Sequence, residues 1–229
     1  LGLGLGLVAL VAMGAKPYYL GPAFPTLFAA GAAAAERGLR RPWARGALLA
    51  APALAGAPAI PIAIPLLSPA ALAAWQARLG VAPPRLERME YGALPQHFAD
   101  QFGWEERVRA VAEAWKALPE DDRRRAFVYT TNYGRAAAAD LLGPRHGLPG
   151  ASSGHNNYFL WGVPDGRDVV LAWGGREADY REEFAEVIRV GETPAVDWGL
   201  PYESNVPIFV LRGPRRPLPE IWSGAKRYL

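Results

Sequence analysis

Charge is nearly missing from the first 80 residues and dense in the other 149, so the two parts of the chain must satisfy different solvents. Up to Gly80 the charged side chains are Lys16, Glu36, Arg37, Arg40, Arg41, Arg45 and Arg78, whereas residues 81–229 carry 19 basic and 21 acidic ones. The net charge of +3 therefore comes from the first part. The second part is slightly acidic and has no arginine-rich tail or basic stripe, so nucleic acid is not an expected partner. The chain has no cysteine, which excludes a disulfide framework and a thiolate zinc site.

Three uncharged stretches invite comparison with a bilayer, which a helix crosses with about 20 apolar residues. Leu1–Ala15 is short and opens deep in an apolar run without a methionine, so the chain is expected to be the trailing part of a longer polypeptide. No basic segment precedes that run, which argues against a cleaved signal. Residues 17–35 and 46–67 supply 19 and 22 residues, enough to cross. The expectation is about three transmembrane helices plus an amphipathic helix within residues 1–80, followed by a separate domain over 81–229. Arg37, Arg40, Arg41 and Arg45 favour the cytoplasmic side, which places Lys16 and the later domain on the outer face of a plasma membrane. Pro52, Pro58, Pro61 and Pro65 each remove a backbone donor, so the carbonyls they free need partners from neighbouring helices or water.

The segment KPYYLGPAFP, residues 16–25, has two readings. Lysine and tyrosine are ordinary headgroup-level residues. Lys16, Tyr18 and Tyr19 in a proline-stiffened turn could equally grip the phosphate of a lipid-linked substrate, because lysine is a compact point charge with three donors.

Residues 81–229 alternate helix and strand. Val108, Val111, Trp115 and Leu118 follow helical spacing, and a helix is expected over 97–118, closed by Pro119. Residues 126–131, 168–174, 186–190 and 207–213 read as strands, with helices after the first two and at 218–229. This pattern predicts a three-layer α/β domain with a mostly parallel sheet. Ligands in such sheets sit beyond the carboxyl ends of the strands, where TNYG (131–134) falls. Together with SGHNNYFLWG (153–162) it nominates Tyr133, His155, Asn156 and Asn157 as binding residues. The alternative is structural: Asn132 caps the next helix, and residues 155–157 form an Asx-type turn. There is no G-x-G-x-x-G dinucleotide fingerprint. His97, His146 and His155 lack metal-ligand spacing, so no metal is expected.

KPYYLGPAFPTLFAAGA, FGWEE (102–106), TNYGRAAAADLLGPRHGLPGASSGHNNYFLWG (131–162) and PYESNVPIFVLRG (201–213) together resemble the carboxyl-terminal part of bacterial membrane glycosyltransferases of family 39. That family is related to the protein O-mannosyltransferases and the lipid A aminoarabinose transferases. The resemblance implies a multi-span enzyme of the GT-C type in the inner membrane. It would move a sugar from a polyprenyl-phosphate donor to a protein, lipid or glycan acceptor, and would end in an extracytoplasmic domain. It also implies catalytic acids in a first outer loop to which nothing here corresponds, so no catalytic residue is nominated. Lys16 would steady the departing phosphate, Tyr18 and Tyr19 would line the lipid-phosphate mouth, and Tyr133, His155, Asn156 and Asn157 would bond sugar or acceptor hydroxyls. No cofactor is implied. The other class of reading is a membrane-anchored α/β module that binds a glycan or a partner protein without catalysis.

Overall fold

A computed structural model describes residues 2–13, 17–83, 90 and 92–228. The chain divides into two compact units, Leu1–Arg88 and Met89–Leu229. Helices of the first unit are α1 (Gly2–Ala12), α2 (Phe24–Gly38), α3 (Pro42–Gly56), α4 (Ile60–Ala63) and α5 (Pro69–Leu79).

The expectation of three membrane spans is corrected. Among the described residues, one helical stretch is long and apolar enough to cross a bilayer: Pro42–Ala63, 22 residues, made of α3, a short 3-10 turn and α4. Residues 17–38 are continuously helical, a 3-10 stretch Pro17–Ala23 running into α2, but Pro17, Pro22, Pro25, Tyr18, Tyr19 and Gly21 dilute the apolar content of the span predicted over 17–35. Helix α1, at 11 residues, is too short to cross. Side chains meet backbone carbonyls in two places. Arg45 donates to the carbonyls of Leu39 and Glu36 at the end of α2 (2.7 and 2.8 Å), and Trp75 of α5 donates to the carbonyl of Pro58 (2.9 Å).

In the second unit the helices are α6 (Gln96–Ala99), α7 (Trp104–Lys116), α8 (Glu120–Arg125), α9 (Tyr133–Leu142), α10 (Glu177–Glu183) and α11 (Leu218–Gly224). The strands are β1 (Ala126–Thr130), β2 (Ala151–Ser153), β3 (Val169–Trp173), β4 (Phe184–Glu192) and β5 (Pro207–Pro214), in the order β2-β1-β3-β5-β4. The helix predicted over 97–118 is two helices. The first ends at Ala99, and after a turn Gly103, in left-handed backbone at φ +88°, opens the second, with Glu105 and Glu106 favourably placed in the first turn of α7.

The mostly parallel sheet is also corrected, because this sheet is mixed. β2, β1 and β3 are parallel, whereas β5 runs antiparallel to both β3 and β4. The cause is the connection between β4 and β5, residues 193–206, whose only helical element is the 3-10 turn Pro201–Glu203. Without a crossover helix, a strand returns antiparallel beside its predecessor.

Central strand β3 is buried along its whole length, because both faces of the sheet are covered. Alternate residues of β1 and β3, Val128 and Leu171 among them, pack with Val108, Val111 and Trp115 of α7 and with Ala138 and Ala139 of α9. Their neighbours Phe127, Val170 and Ala172 face the other way, with Phe184, Leu211, Tyr180 of α10 and Ile221 of α11.

Candidate functional site

The carboxyl ends of β1, β2 and β3 point to one edge, and the polar residues of the unit gather there. Asn132 follows β1 and caps α9: its Oδ1 accepts from the Arg135 backbone N–H at 2.8 Å. Its Nδ2 donates to Glu203 Oε1 at 3.1 Å, which ties the cap to a residue 71 positions away. Arg135, one turn into α9, donates from Nε to Glu203 Oε2 at 2.7 Å and from Nη1 to Thr131 Oγ1 at 2.7 Å. Both partners of this ion pair are buried, their side chains 8% and 3% exposed. Gly174, after β3 and at φ +95°, leaves the room this guanidinium fills. A Cβ there would collide with Arg135 Nη1 and Thr131 Oγ1.

Tyr133, two residues before Arg135 on α9, makes an aromatic contact. The rings of Tyr133 and His155 lie 4.8 Å apart at 59°, with Tyr133 about half exposed and His155 buried. The backbone beyond β2 holds His155 in place. Gly154 presses against the carbonyl of Ala225 too closely for any Cβ. Its own carbonyl accepts from Arg227 N (2.8 Å), and Asn156 N donates to Arg227 O (2.9 Å). Asp140 of α9 secures the rest of the loop, accepting from Ala151 N at 2.7 Å and from the Tyr158 hydroxyl at 2.8 Å. Burial first, and the Asp140 carboxylate second, push the Tyr158 phenol up to about 12.

The nominated residues thus meet different fates. Tyr133 and His155 come together. Asn156 sits in left-handed backbone (φ +52°) and donates its backbone N–H to the Arg227 carbonyl, while Asn157 is exposed near the start of the 3-10 helix Asn156–Trp161. Tyr19 is exposed in the first unit. Lys16 and the side chain of Tyr18 lie outside the described residues.

Arg135, Glu203 and Thr131 were not nominated. Their signal was a lone arginine opening the alanine-rich run of α9 and a lone acid in PYESN before a buried strand. Arg107 of α7 also escaped notice. It is 1% exposed, donates from Nη1 to the Phe102 carbonyl at 2.9 Å, and has no hydrogen-bond partner for Nε or Nη2 among the described residues. Burial holds it below the ordinary guanidinium range, against the opposing pull of Glu203. Among the described residues no group of three or more His, Asp or Glu side chains could hold a metal ion.

Chemically, the edge offers a half-exposed aromatic face, amide and hydroxyl groups, and a buried charge pair. Comparison with protein-family models, curated proteins and solved structures returned no match.

Proposed function

We propose that this chain serves a glycosyltransferase of the bacterial inner membrane that moves a sugar from a polyprenyl-phosphate donor to a protein, lipid or glycan acceptor. In this reading the strand edge of the second unit binds sugar or acceptor. The observation that carries it is the Tyr133–His155 contact on a rigid base, with Tyr133 half exposed. The electron-rich face of an aromatic ring suits the C–H face of a sugar, and neighbouring amide and hydroxyl groups suit its hydroxyls. Attachment to the membrane would run through Pro42–Ala63, which carries Arg45 in its first turn and follows Arg37, Arg40 and Arg41, the pattern of a cytoplasmic end.

In the transfer itself an acceptor oxygen loses its proton to a base and attacks the anomeric carbon, and the bond to the lipid phosphate breaks. This edge would orient one of the partners. Tyr133→Ala in membranes carrying the full polypeptide is expected to cut transfer from a radiolabelled polyprenyl-phosphate sugar by about tenfold, with Tyr133→Phe near normal. Equal turnover by Tyr133→Ala would remove the edge from the reaction.

A second reading, glycan binding without catalysis, is favoured by one observation. The carboxylate at this edge, Glu203, is buried with one oxygen held by Asn132 and the other by Arg135, so it offers no free base. Glycan binding lost in Tyr133→Ala, with no transfer from any polyprenyl-phosphate sugar, would select it.

A further inference from the structure

The two faces of the sheet are covered unequally. Long helices α7 and α9 close one face, whereas α10 and α11, seven residues each, leave a cleft of about 310 Å³ on the other. Its floor is Phe127, Val170 and Leu211. One wall is Trp222, whose ring is held fixed: it stacks on Phe159 at 5.5 Å and 7°, and its indole N–H donates to the Phe159 carbonyl at 3.2 Å. Tyr129 meets the same ring edge-on at 6.3 Å, and its hydroxyl has no hydrogen-bond partner among the described residues. Burial holds the Tyr129 phenol above its ordinary range, so it keeps its proton at neutral pH.

The rim is acidic. Asp179 is taken by Arg176 (2.9 and 2.6 Å), and Glu183 by Arg216 (3.2 and 2.5 Å). Glu182 lines the cleft and makes no ion pair within 4 Å among the described residues; Arg176 acts on it only through space.

We propose that this cleft binds a small organic cation with a flat apolar ring, its ring against Trp222, its ammonium at Glu182 and a polar edge at the Tyr129 hydroxyl. Size, shape and charge each narrow the occupant. The volume stands at the lower end of the roughly 300–1,000 Å³ of ligand pockets, which suits one or two fused rings. A fixed indole wall over an aliphatic floor favours a flat body. With Arg176 and Arg216 engaged, Glu182 leaves a negative charge at one end of the cleft, which favours an ammonium there, while Arg227 acts through space on Tyr129 at the other end. The cleft lies on the sheet face under α10 and α11, beside the Phe159 turn, and its binding test does not depend on the glycosyl-transfer reading.

The test uses tritiated tryptamine as probe and indole-3-acetate as its anionic counterpart, in equilibrium dialysis against the purified full chain. Tryptamine is expected to bind saturably at one site, with indole-3-acetate at least tenfold weaker. Glu182→Gln should weaken tryptamine by about fivefold, and Tyr129→Phe by a similar factor of about five. Both variants are conservative enough to keep the fold. Absence of saturable binding, equal binding of the two probes, or unchanged affinity in both variants would overturn the proposal.

Discussion

Arg135 and Arg107 are both buried in the same unit, 7% and 1% exposed, yet the fold treats them oppositely. Arg135 has a carboxylate, a hydroxyl and a glycine-made space fitted to it. Arg107 has one carbonyl, the face of Trp104 at 5.6 Å, and two nitrogens with no hydrogen-bond partner among the described residues. Burying a guanidinium costs several kcal/mol unless its donors are met, so one of these residues is built into the fold and the other is carried by it. The difference is one of reach in space. Glu203, brought from 68 positions away, reaches Arg135 with Oε2 and acts on Arg107 only through space.

The largest expected effect comes from removing what the two share. Glu203→Ala should destabilise the second unit by about 3–5 kcal/mol, since it leaves Arg135 without its counter-charge. Denaturant midpoints of the full chain measure this, and a cost under about 1 kcal/mol would break the contrast. Asn132→Ala, which loses both the cap of α9 and a bond to Glu203, should cost about 1–2 kcal/mol in the same assay. Arg107→Met should fall within about 1 kcal/mol of the parent, or stabilise it, because it trades an underused charge for an apolar stem. A loss as large as that of Glu203→Ala would mean that Arg107 is as deeply built in as Arg135.

The last prediction is a control away from the pair, confined to alkaline pH. The Tyr158 phenol titrates higher folded, at about 12, than its ordinary value near 10. Its contribution is thus complete below about pH 10 and is lost as pH rises toward 12. Tyr158→Phe should flatten that alkaline limb, while Arg107→Met leaves it in place. Absorbance of phenolate during a pH titration reads both.

Much of the second unit was legible because its signals are local. The strands at 126–130, 169–173 and 207–214 are dense runs of β-branched and aromatic residues, and Asn132 announced its helix. β2 was not legible, since its three residues Ala151–Ser153 are small and polar and become a strand only by pairing with β1. The direction of β5 depended on what the 193–206 connection lacks, which hydrophobic periodicity does not report. In the first unit, absence of charge was read as apolarity: residues 17–35 are uncharged and helical, but their prolines, tyrosines and glycines leave them less apolar than Pro42–Ala63. At the strand edge, the aromatic and amide cluster could be read from adjacency along the chain. The Arg135–Glu203 pair could not, because no spacing rule links residues 68 apart.

The reversal of β5 also sets the width of whatever the edge can grip. Three neighbouring strands end there in the same sense, and the fourth runs the other way. Two interstrand steps measure about 10 Å, which under the proposed glycan-binding reading would suit a short sugar rather than a stretch of polymer. A longer glycan would overhang on both sides, so discrimination would rest on a terminal ring and its immediate linkage.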